Sequence, residues 1–255
     1  KGHSLVDMRL YLPKAWTQEK ARLDKAGVPK ACRGYRTRHQ LALEILAKNG
    51  ASLPHGWIAG DDEMGRPYWF RRRLAAWGER SMLAVPSNTM MRDLETAPPE
   101  YSGRGRRPQR PWQSVAVWSQ SLADEAWRRI DVRDGSKGPL VVDVVKRRVV
   151  SRTHRRQQGD EELVVVIRYR DRDNQQVVKV DYYLSNAVPE TPLWELAQVA
   201  KAAHRIEECL QRSKSEAGLA EYEVRHWPGW HHHQTLSLLA TWFLVQETQR
   251  GKKMD

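Results

Sequence analysis

Two carboxylates and a lysine are the side chains of this sequence best placed for chemistry. Asp61 ends a short apolar run at residues 57–61, where a buried strand would carry the carboxylate at its carboxyl end. Glu207 stands seven residues before Lys214 in a segment of helical spacing, and seven residues turn an α-helix through about 700°, so both point to nearly one side. A carboxylate can hold Mg²⁺ and an ammonium can meet a backbone phosphate, as a phosphodiester site requires. The alternative is an ordinary solvated acid and an exposed amphipathic helix.

The elements that must position these side chains alternate between helix and strand. Apolar stripes predict helices at residues 38–49, which stop at Gly50, and at 68–77. Alternating or continuous apolar runs predict strands at 5–12, 57–61 and 82–85, the last stopped by Pro86. We therefore expect an α/β core.

The middle of the chain changes character. Residues 87–110 combine prolines and glycines with Arg104, Arg106, Arg107 and Arg110, which predicts a basic loop. β-Branched runs then predict strands at 140–145, 147–151, 163–169 and 177–184. Helical patterns return at 193–218 and 231–248. A β-rich block is therefore expected to interrupt the α/β core.

Composition restricts the class of protein. The 255 residues contain 43 Lys and Arg against 31 Asp and Glu, a formal charge of +12 that favours an anionic partner. With 40% hydrophobic residues the chain can form a core, and its longest uncharged apolar run, residues 235–246, is too short to span a membrane. Cys32 and Cys209 stand far apart, so neither a disulfide framework nor a zinc site is expected and a reducing cytosol is the default compartment.

Basic and aromatic residues recur where nucleic acid could bind. Basic runs at residues 71–73, 104–110 and 146–156, the last including Arg147 and Arg148, are either solvated faces or a DNA track. Trp112, Trp118 and Trp127 follow the basic loop and could stack on an unpaired base, although a core role is the more frequent one for such residues. Three consecutive histidines at 231–233 diverge by about 100° each on a helix, so we expect no zinc site there and interpret His233 as structural or phosphate-facing.

Several ordered motifs resemble those of bacterial insertion-sequence transposases with a DDE endonuclease domain. The C-terminal part of the resemblance comprises Arg205-Ile206-Glu207-Glu208, Lys214 to Leu219, Tyr222 to Arg225 and Trp230 to His233. The N-terminal part comprises Leu10 to Pro13 with Trp16, Ala26 to Pro29, Gly60 to Glu63 with Gly65-Arg66, and Val85 to Thr89. The resemblance covers nearly the whole chain, although Ala200 and Ala203 stand where many such transposases have tyrosine and arginine.

The resemblance implies a ribonuclease H-like fold, a mixed sheet with helices interrupted by a β-rich insertion. Residues 1–86 would be the first part of the catalytic core, 87–191 the basic loop and insertion, and 192–255 the helical second part. Residues 5–12, 57–61 and 82–86 would be the third, fourth and fifth strands. The family's first aspartate precedes the residues matched here, so we expect the first strands and first acid to be missing; Asp7 is a weak substitute.

The resemblance also implies chemistry and partners. Asp61, with Asp62 as second choice, and Glu207 would bind Mg²⁺ or Mn²⁺, two ions in a complete triad. The protein would cleave transposon ends and join them to target DNA as a homodimer in a synaptic complex, in the bacterial cytoplasm with the nucleoid. Expected DNA contacts are Lys214, Arg205, Arg104, Arg106, Arg107, Arg110, Arg147, Arg148 and Trp118. The main alternative is an inactive DNA-binding remnant lacking the first aspartate; a basic RNA-binding module is disfavoured because no aromatic RNP-like strand is present.

Overall fold

A computed structural model of the protein describes residues 3–133, 140–171 and 174–251. The chain divides into two compact units. The sheet unit is His55–Ala203, and the helical unit combines Lys1–Pro54 with His204–Asp255. No helix among the described residues is long and apolar enough to cross a membrane.

One mixed sheet organises the sheet unit. Its strands are β1 (Ile58–Gly60), β2 (Ser81–Ala84), β3 (Met90–Asp93), β4 (Gln113–Ser114), β5 (Arg128–Arg133), β6 (Leu140–Arg152), β7 (Gln158–Arg170) and β8 (Val177–Ser185). They lie in the order β1-β2-β8-β7-β6-β3-β4, and β5 pairs with β6 off this path. Only β1 and β2 pair in parallel, and the remaining described pairs are antiparallel. This mixed α/β architecture with an open, mostly antiparallel sheet is consistent with a ribonuclease H-like fold, as predicted.

The central strands are apolar on both faces because both faces of the sheet are covered. On β7, Leu163, Val165 and Ile167 join a cluster that includes Leu196 and Ala200 of the following helix. The intervening residues of β7 face a second cluster with Trp118 and Trp127. Successive strand residues point to opposite faces, so a continuous apolar run is what a doubly covered strand requires. The core of the sheet unit therefore lies on both sides of β6, β7 and β8.

The expected alternation around Asp61 is confirmed. Strand β1 leads through the short helix α4 (Asp62–Gly65) and the helix α5 (Tyr68–Ala76) to the parallel strand β2. Parallel neighbours need such a crossover because the end of the first strand and the start of the second lie at opposite ends of the strand pair. This β-α-β segment positions Asp61 at the carboxyl end of β1.

The β-rich block is part of the same sheet. Strand β8 pairs antiparallel with β2, so the block continues the sheet begun by β1 and β2. The runs predicted at 140–145 and 147–151 are one strand, β6, because Lys146 continues the ladder with β7. Strands β3, β4 and β5, helix α6 (Val115–Gln120) and a 3₁₀ turn at Asp124–Ala126 were not predicted. Residues 94–112, most of the predicted basic loop, contain neither helix nor strand.

Helices α1 (Lys14–Gln18), α2 (Lys20–Lys25) and α3 (Arg38–Asn49), with 3₁₀ turns at Lys30–Cys32 and Gly50–Ser52, form the first part of the helical unit. Thr37 and Gln40 cap α3 reciprocally, which fixes the start predicted from its apolar stripe. Helix α7 (Leu193–Glu216) contributes its residues from 204 onward, and α8 (Trp227–Gly251) completes the unit.

The strand predicted at residues 5–12 is wrong. These residues contain no helix or strand. The alternation has local causes: Leu12 packs against the cluster of Leu23, Ala26 and Val28, and Asp7 accepts hydrogen bonds from Asn49 Nδ2 (2.8 Å) and Arg9 (3.0 Å). Because Asp7 is engaged in this polar cluster and follows no strand, nothing in its surroundings supports a catalytic role.

Candidate functional site

Asp61 occupies the turn between β1 and α4. Its backbone is extended (φ −74°, ψ −176°) and its Oδ1 accepts a hydrogen bond from the Met64 amide at 3.0 Å. An aspartate is favoured at this capping position because the first amides of a helix lack intrahelical partners. The side chain is exposed, and its second oxygen has no hydrogen-bond partner among the described residues. One carboxylate oxygen therefore fixes the turn and the other faces outward.

The next two acids extend this exposed edge. Asp62 pairs loosely with Arg66 (3.4 Å), and Glu63 is also exposed. Two neighbouring carboxylates at the end of a strand give oxygen donors of the kind that Mg²⁺ and Mn²⁺ prefer.

Glycines hold this turn close to the neighbouring strand. A Cβ on Gly65 would lie 1.8 Å from the carbonyl oxygen of Ala84 in β2, and a Cβ on Gly60 would lie 3.1 Å from Leu83 Cδ2. Gly65 leaves no room for a side chain because its obstacle is backbone, whereas at Gly60 the neighbouring side chains would have to shift by a few tenths of an ångström. The sequence Gly60-Asp61-Asp62-Glu63-Met64-Gly65 thus has the glycines that pack the turn onto β2.

A buried arginine connects the same turn to the central strands of the sheet. Arg71 on α5 is 5% exposed and donates to both oxygens of Glu162, at 2.6 and 3.0 Å, and to Ser151 Oγ at 2.8 Å. Its remaining terminal nitrogen donates to the carbonyl oxygen of Gly65. The planar guanidinium fork can satisfy all these acceptors at once. Arg71 therefore connects the α4 turn to β6 and β7.

Reasoning from the sequence missed this network. The run 71–73 reads as three equivalent surface arginines, yet Arg71 is buried while Arg72, 3.7 Å from Asp160, and Arg73 are exposed. Arg71 and Glu162 are 91 positions apart, so no local spacing links them. The only signal was the acid Glu162 directly before the apolar run of β7.

Glu207 and Lys214 lie on helix α7, as predicted, and both side chains are exposed. Glu207 has no hydrogen-bond or ion-pair partner within the described part of the chain, whereas its neighbour Glu208 pairs with Arg205 at 3.3 Å. The opposite face of the helix is buried, where Ser213 donates to the Cys209 carbonyl (2.7 Å) and accepts from Thr241 of α8 (3.0 Å). Glu207 belongs to the helical unit and Asp61 to the sheet unit.

The family of the chain is given by comparison with known families and not by these separate side chains. The family model described as "DDE superfamily endonuclease" matches residues 1–139, more than half of the 255 residues. The chain belongs to this family. No curated protein matches it. The recognition made from the motifs is confirmed at the level of a DDE-type transposase or endonuclease, and the match includes Asp61 but ends before Glu207.

Membership establishes a nuclease domain whose substrate class is DNA. DDE endonucleases generally use divalent metals. No three His, Cys, Asp or Glu side chains within the described ranges are grouped to hold an ion. The donor chemistry of Asp61, Asp62 and Glu207 nevertheless fits Mg²⁺, because each presents an exposed carboxylate.

The arginines expected to contact DNA fall into two groups in this DDE endonuclease. Arg104 and Arg106 are exposed in the loop after β3 and form no ion pair with any residue that the structure describes. The others have local partners: Arg107 lies 5.8 Å from the Tyr101 ring, Arg110 donates to the Thr96 carbonyl (2.6 Å), and both Arg147 (3.6 Å) and Arg148 (3.9 Å) approach Glu95. The first group has more charge available for phosphate.

The three tryptophans have different environments. Trp118 is 2% exposed and its Nε1 donates to Asp93 Oδ2 at 2.9 Å, so its ring has no face for a DNA base. Trp127 is also buried and stacks with Arg168 at 3.5 Å. The guanidinium groups of Arg92 (4.5 Å) and Arg152 (4.8 Å) both lie over the Trp112 ring. Trp118 is therefore a core residue, and the DNA contact predicted for it is wrong because the ring is buried.

Two of the three consecutive histidines bond to backbone carbonyls. His231 Nδ1 donates to Trp227 and His233 Nε2 to Gly218, both at 3.0 Å. Ala200, which stands where relatives were expected to have a larger residue, is 1% exposed in the core of the sheet unit.

Proposed function

We propose that this DDE endonuclease is the catalytic domain of an insertion-sequence transposase, which cleaves transposon ends and joins them to target DNA. The observation that carries the proposal is Asp61: within the matched residues, an exposed carboxylate at the end of β1, fixed through one oxygen. Residues 1–86 and 192–255 would form the two parts of the catalytic core, and 87–191 the inserted segment.

Asp61 and Glu207 are the residues we propose to hold Mg²⁺ or Mn²⁺, with Asp62 as the substitute for Asp61. When bound, paired metal ions polarise the phosphoryl oxygen and stabilise both the attacking and the leaving oxygen. The chain's own contribution is positional. The Met64 amide orients the Asp61 carboxylate, and the Arg71 network holds the turn that carries it.

Free cations would hold the phosphate backbone. Arg104, Arg106 and Lys214 are exposed and lack ion-pair partners among the described residues. Binding to DNA releases counterions for each phosphate neutralised, so affinity should fall steeply as salt rises. Contacts of this kind position DNA without reading its sequence.

A nicking assay on supercoiled plasmid tests the enzymatic proposal. The chain should nick DNA with Mg²⁺ or Mn²⁺ and not in EDTA. Asp61→Asn and Glu207→Gln should each abolish nicking while retaining DNA binding, since each change removes a carboxylate charge and little volume. Glu208→Gln, next to Glu207 but paired with Arg205, is the matched control and should remain active.

Three results would overturn these assignments. Nicking retained in Asp61→Asn would show that Asp61 is not a metal-binding residue. Loss of nicking in Asp62→Asn alone would assign that role to Asp62 instead. If the unsubstituted chain binds DNA but never nicks it with either metal, the catalytically inactive remnant is the correct interpretation.

Strand transfer is tested separately, by incubating a linear fragment carrying the element's ends with a target plasmid.

We also propose a homodimer, supported by the distribution of side chains on α8. The buried face of this helix is polar, with Gln234, Ser237 and Thr241 each less than 9% exposed. The apolar residues Leu236, Leu239, Trp242 and Phe243 are instead 55–61% exposed. An exposed apolar stripe of this kind marks an association surface more often than free solvent contact. A second copy of the chain is the occupant we propose.

A further inference from the structure

A pocket of about 780 Å³ in the helical unit is lined by five Tyr and Trp rings. Tyr11, Trp16, Tyr222, Trp227 and Trp230 all contribute to its wall. Its volume is within the roughly 300–1,000 Å³ range of ligand pockets, and flat rings favour a flat ligand.

The charged side chains among the described lining residues of this aromatic pocket are all basic. Arg22, Lys25, Arg225 and His226 line it, and no Asp or Glu is among its described lining residues. Arg22 stacks on the Trp16 ring at 4.0 Å and lies 3.5 Å from Glu19. Lys25 and Arg225 are exposed and have no ion-pair partner in the described ranges. A ligand suited to this wall is therefore both aromatic and anionic.

The tryptophans at the start of α8 are fixed before any ligand binds. The His231 ring lies 4.3 Å from Trp227 and 4.8 Å from Trp230, and its Nδ1 donates to the Trp227 carbonyl. The Trp227 amide in turn donates to the Ala26 carbonyl at 2.8 Å. Rings held in this way lose little conformational entropy on binding.

We propose that the aromatic pocket binds an unpaired nucleotide of a single DNA strand. Its base would stack on Trp230 or Trp227, and Lys25 and Arg225 would contact the flanking phosphates. Single-strand sites elsewhere combine the same two elements, stacking rings and a basic groove. The proposal takes DNA as the partner from the proposed function, but binding requires no metal and can be tested apart from cleavage.

The test is fluorescence anisotropy in EDTA with a short labelled oligothymidylate. Trp230→Ala should weaken binding by about 5- to 150-fold, the range for losing one stacked base, and Trp230→Phe should restore most of it. Arg225→Ala should weaken binding and reduce the salt slope by about 0.7 for one lost phosphate contact. The matched controls, exposed Trp194→Ala and Lys20→Ala, lie outside the pocket and should bind unchanged.

Competitors identify the source of the nucleotide. Unlabelled oligothymidylate should compete strongly, whereas the same strand with abasic sites, blunt duplex and thymidine monophosphate should compete weakly. Competition by thymidine monophosphate at equal concentration would assign the pocket to free nucleotides and overturn the proposal. Equal competition by duplex or by the abasic strand would also overturn the proposal, because it would show that binding is a non-specific electrostatic attraction to phosphates.

Two further results would reject the pocket. One is strand binding by Trp230→Ala and Arg225→Ala at the unsubstituted affinity. The other is a change in sedimentation of Trp230→Ala without DNA, which would show that a second copy fills the pocket. Arg225 is exposed, so its variant keeps the test decisive should the tryptophan variant fail to fold. If the unsubstituted chain binds the single strand but does not nick plasmid, the proposed function is contradicted and the proposal for this pocket is unaffected.

Discussion

Arg71 offers the sharpest test of how the fold supports Asp61. Arg71→Met keeps an unbranched chain of similar reach and removes the guanidinium. Glu162, whose side chain is 8% exposed, then retains a single described partner, the Ser151 hydroxyl at 2.7 Å. The Gly65 carbonyl loses its arginine as well. Removing one partner of a buried ion pair typically costs about 3–5 kcal/mol because the remaining charge is left buried without compensation.

The assay is urea unfolding of matched variants. Arg71→Met should lower the free energy of unfolding by about 3–5 kcal/mol. Arg72→Met is the control, since Arg72 is 68% exposed and 3.7 Å from Asp160, and such a pair contributes about 0–1 kcal/mol. The double variant Arg71→Met/Glu162→Met removes the orphaned charge and should recover at least ~2 kcal/mol of the single loss.

Two outcomes would refute this reasoning. A cost below about 1 kcal/mol for Arg71→Met would show that the pair contributes no more than a surface pair. A double variant whose loss equals the sum of the two single losses would show that Arg71 and Glu162 are energetically independent.

Four other predictions follow from the described contacts. Gly65→Ala should destabilise the protein by roughly 1–3 kcal/mol or more in urea unfolding, because its Cβ would meet the backbone of β2. Burial alone would raise the pKa of Asp143, but hydrogen bonds from two arginines outweigh burial and lower this pKa. The ionised carboxylate therefore stabilises the fold above the usual pKa of 3.8, and this stabilisation is lost as pH falls through the pKa of the folded state. Asp143→Asn should lower the free energy of unfolding by about 1–3 kcal/mol at pH 7 and leave it unchanged in acid. Cys32 should react quickly with a thiol reagent and Cys209 only after denaturation, because burial raises the pKa of the Cys209 thiol and shields it. Phe243→Asp should convert a dimer to a monomer in sedimentation, and an unchanged dimer would exclude the α8 stripe as the interface.

Local patterns predicted the elements that depend on neighbours in sequence. Helix α3 has its apolar stripe and capping residues within one segment, and α5, β1, β2, β7 and β8 were each found near their predicted positions. Period and turn residues are local properties, so they are readable without the fold. The strand at 5–12 failed because its alternation came from one core contact at Leu12 and one polar cluster at Asp7.

Residues distant in sequence could not be assigned in this way. Trp118 and Arg71 belong to types and runs that suggested DNA contact, yet both are buried with acidic partners, Asp93 and Glu162. A charge run is solvated or buried according to what packs on it, and packing is a tertiary property.

The sequence by itself determined the family, the basic charge and the carboxylate at the end of β1, because motif order, composition and strand ends are all written along the chain. Only the tertiary structure decided which arginine braces that carboxylate's turn, that the β-rich block continues the β1–β2 sheet, and that the rings of Trp16, Trp227 and Trp230 share one basic pocket. The Arg71–Glu162 pair, the β2–β8 pairing and the approach of Trp16 to Trp227 each join residues dozens of positions apart. Such pairs are selected by burial and hydrogen-bond satisfaction in three dimensions.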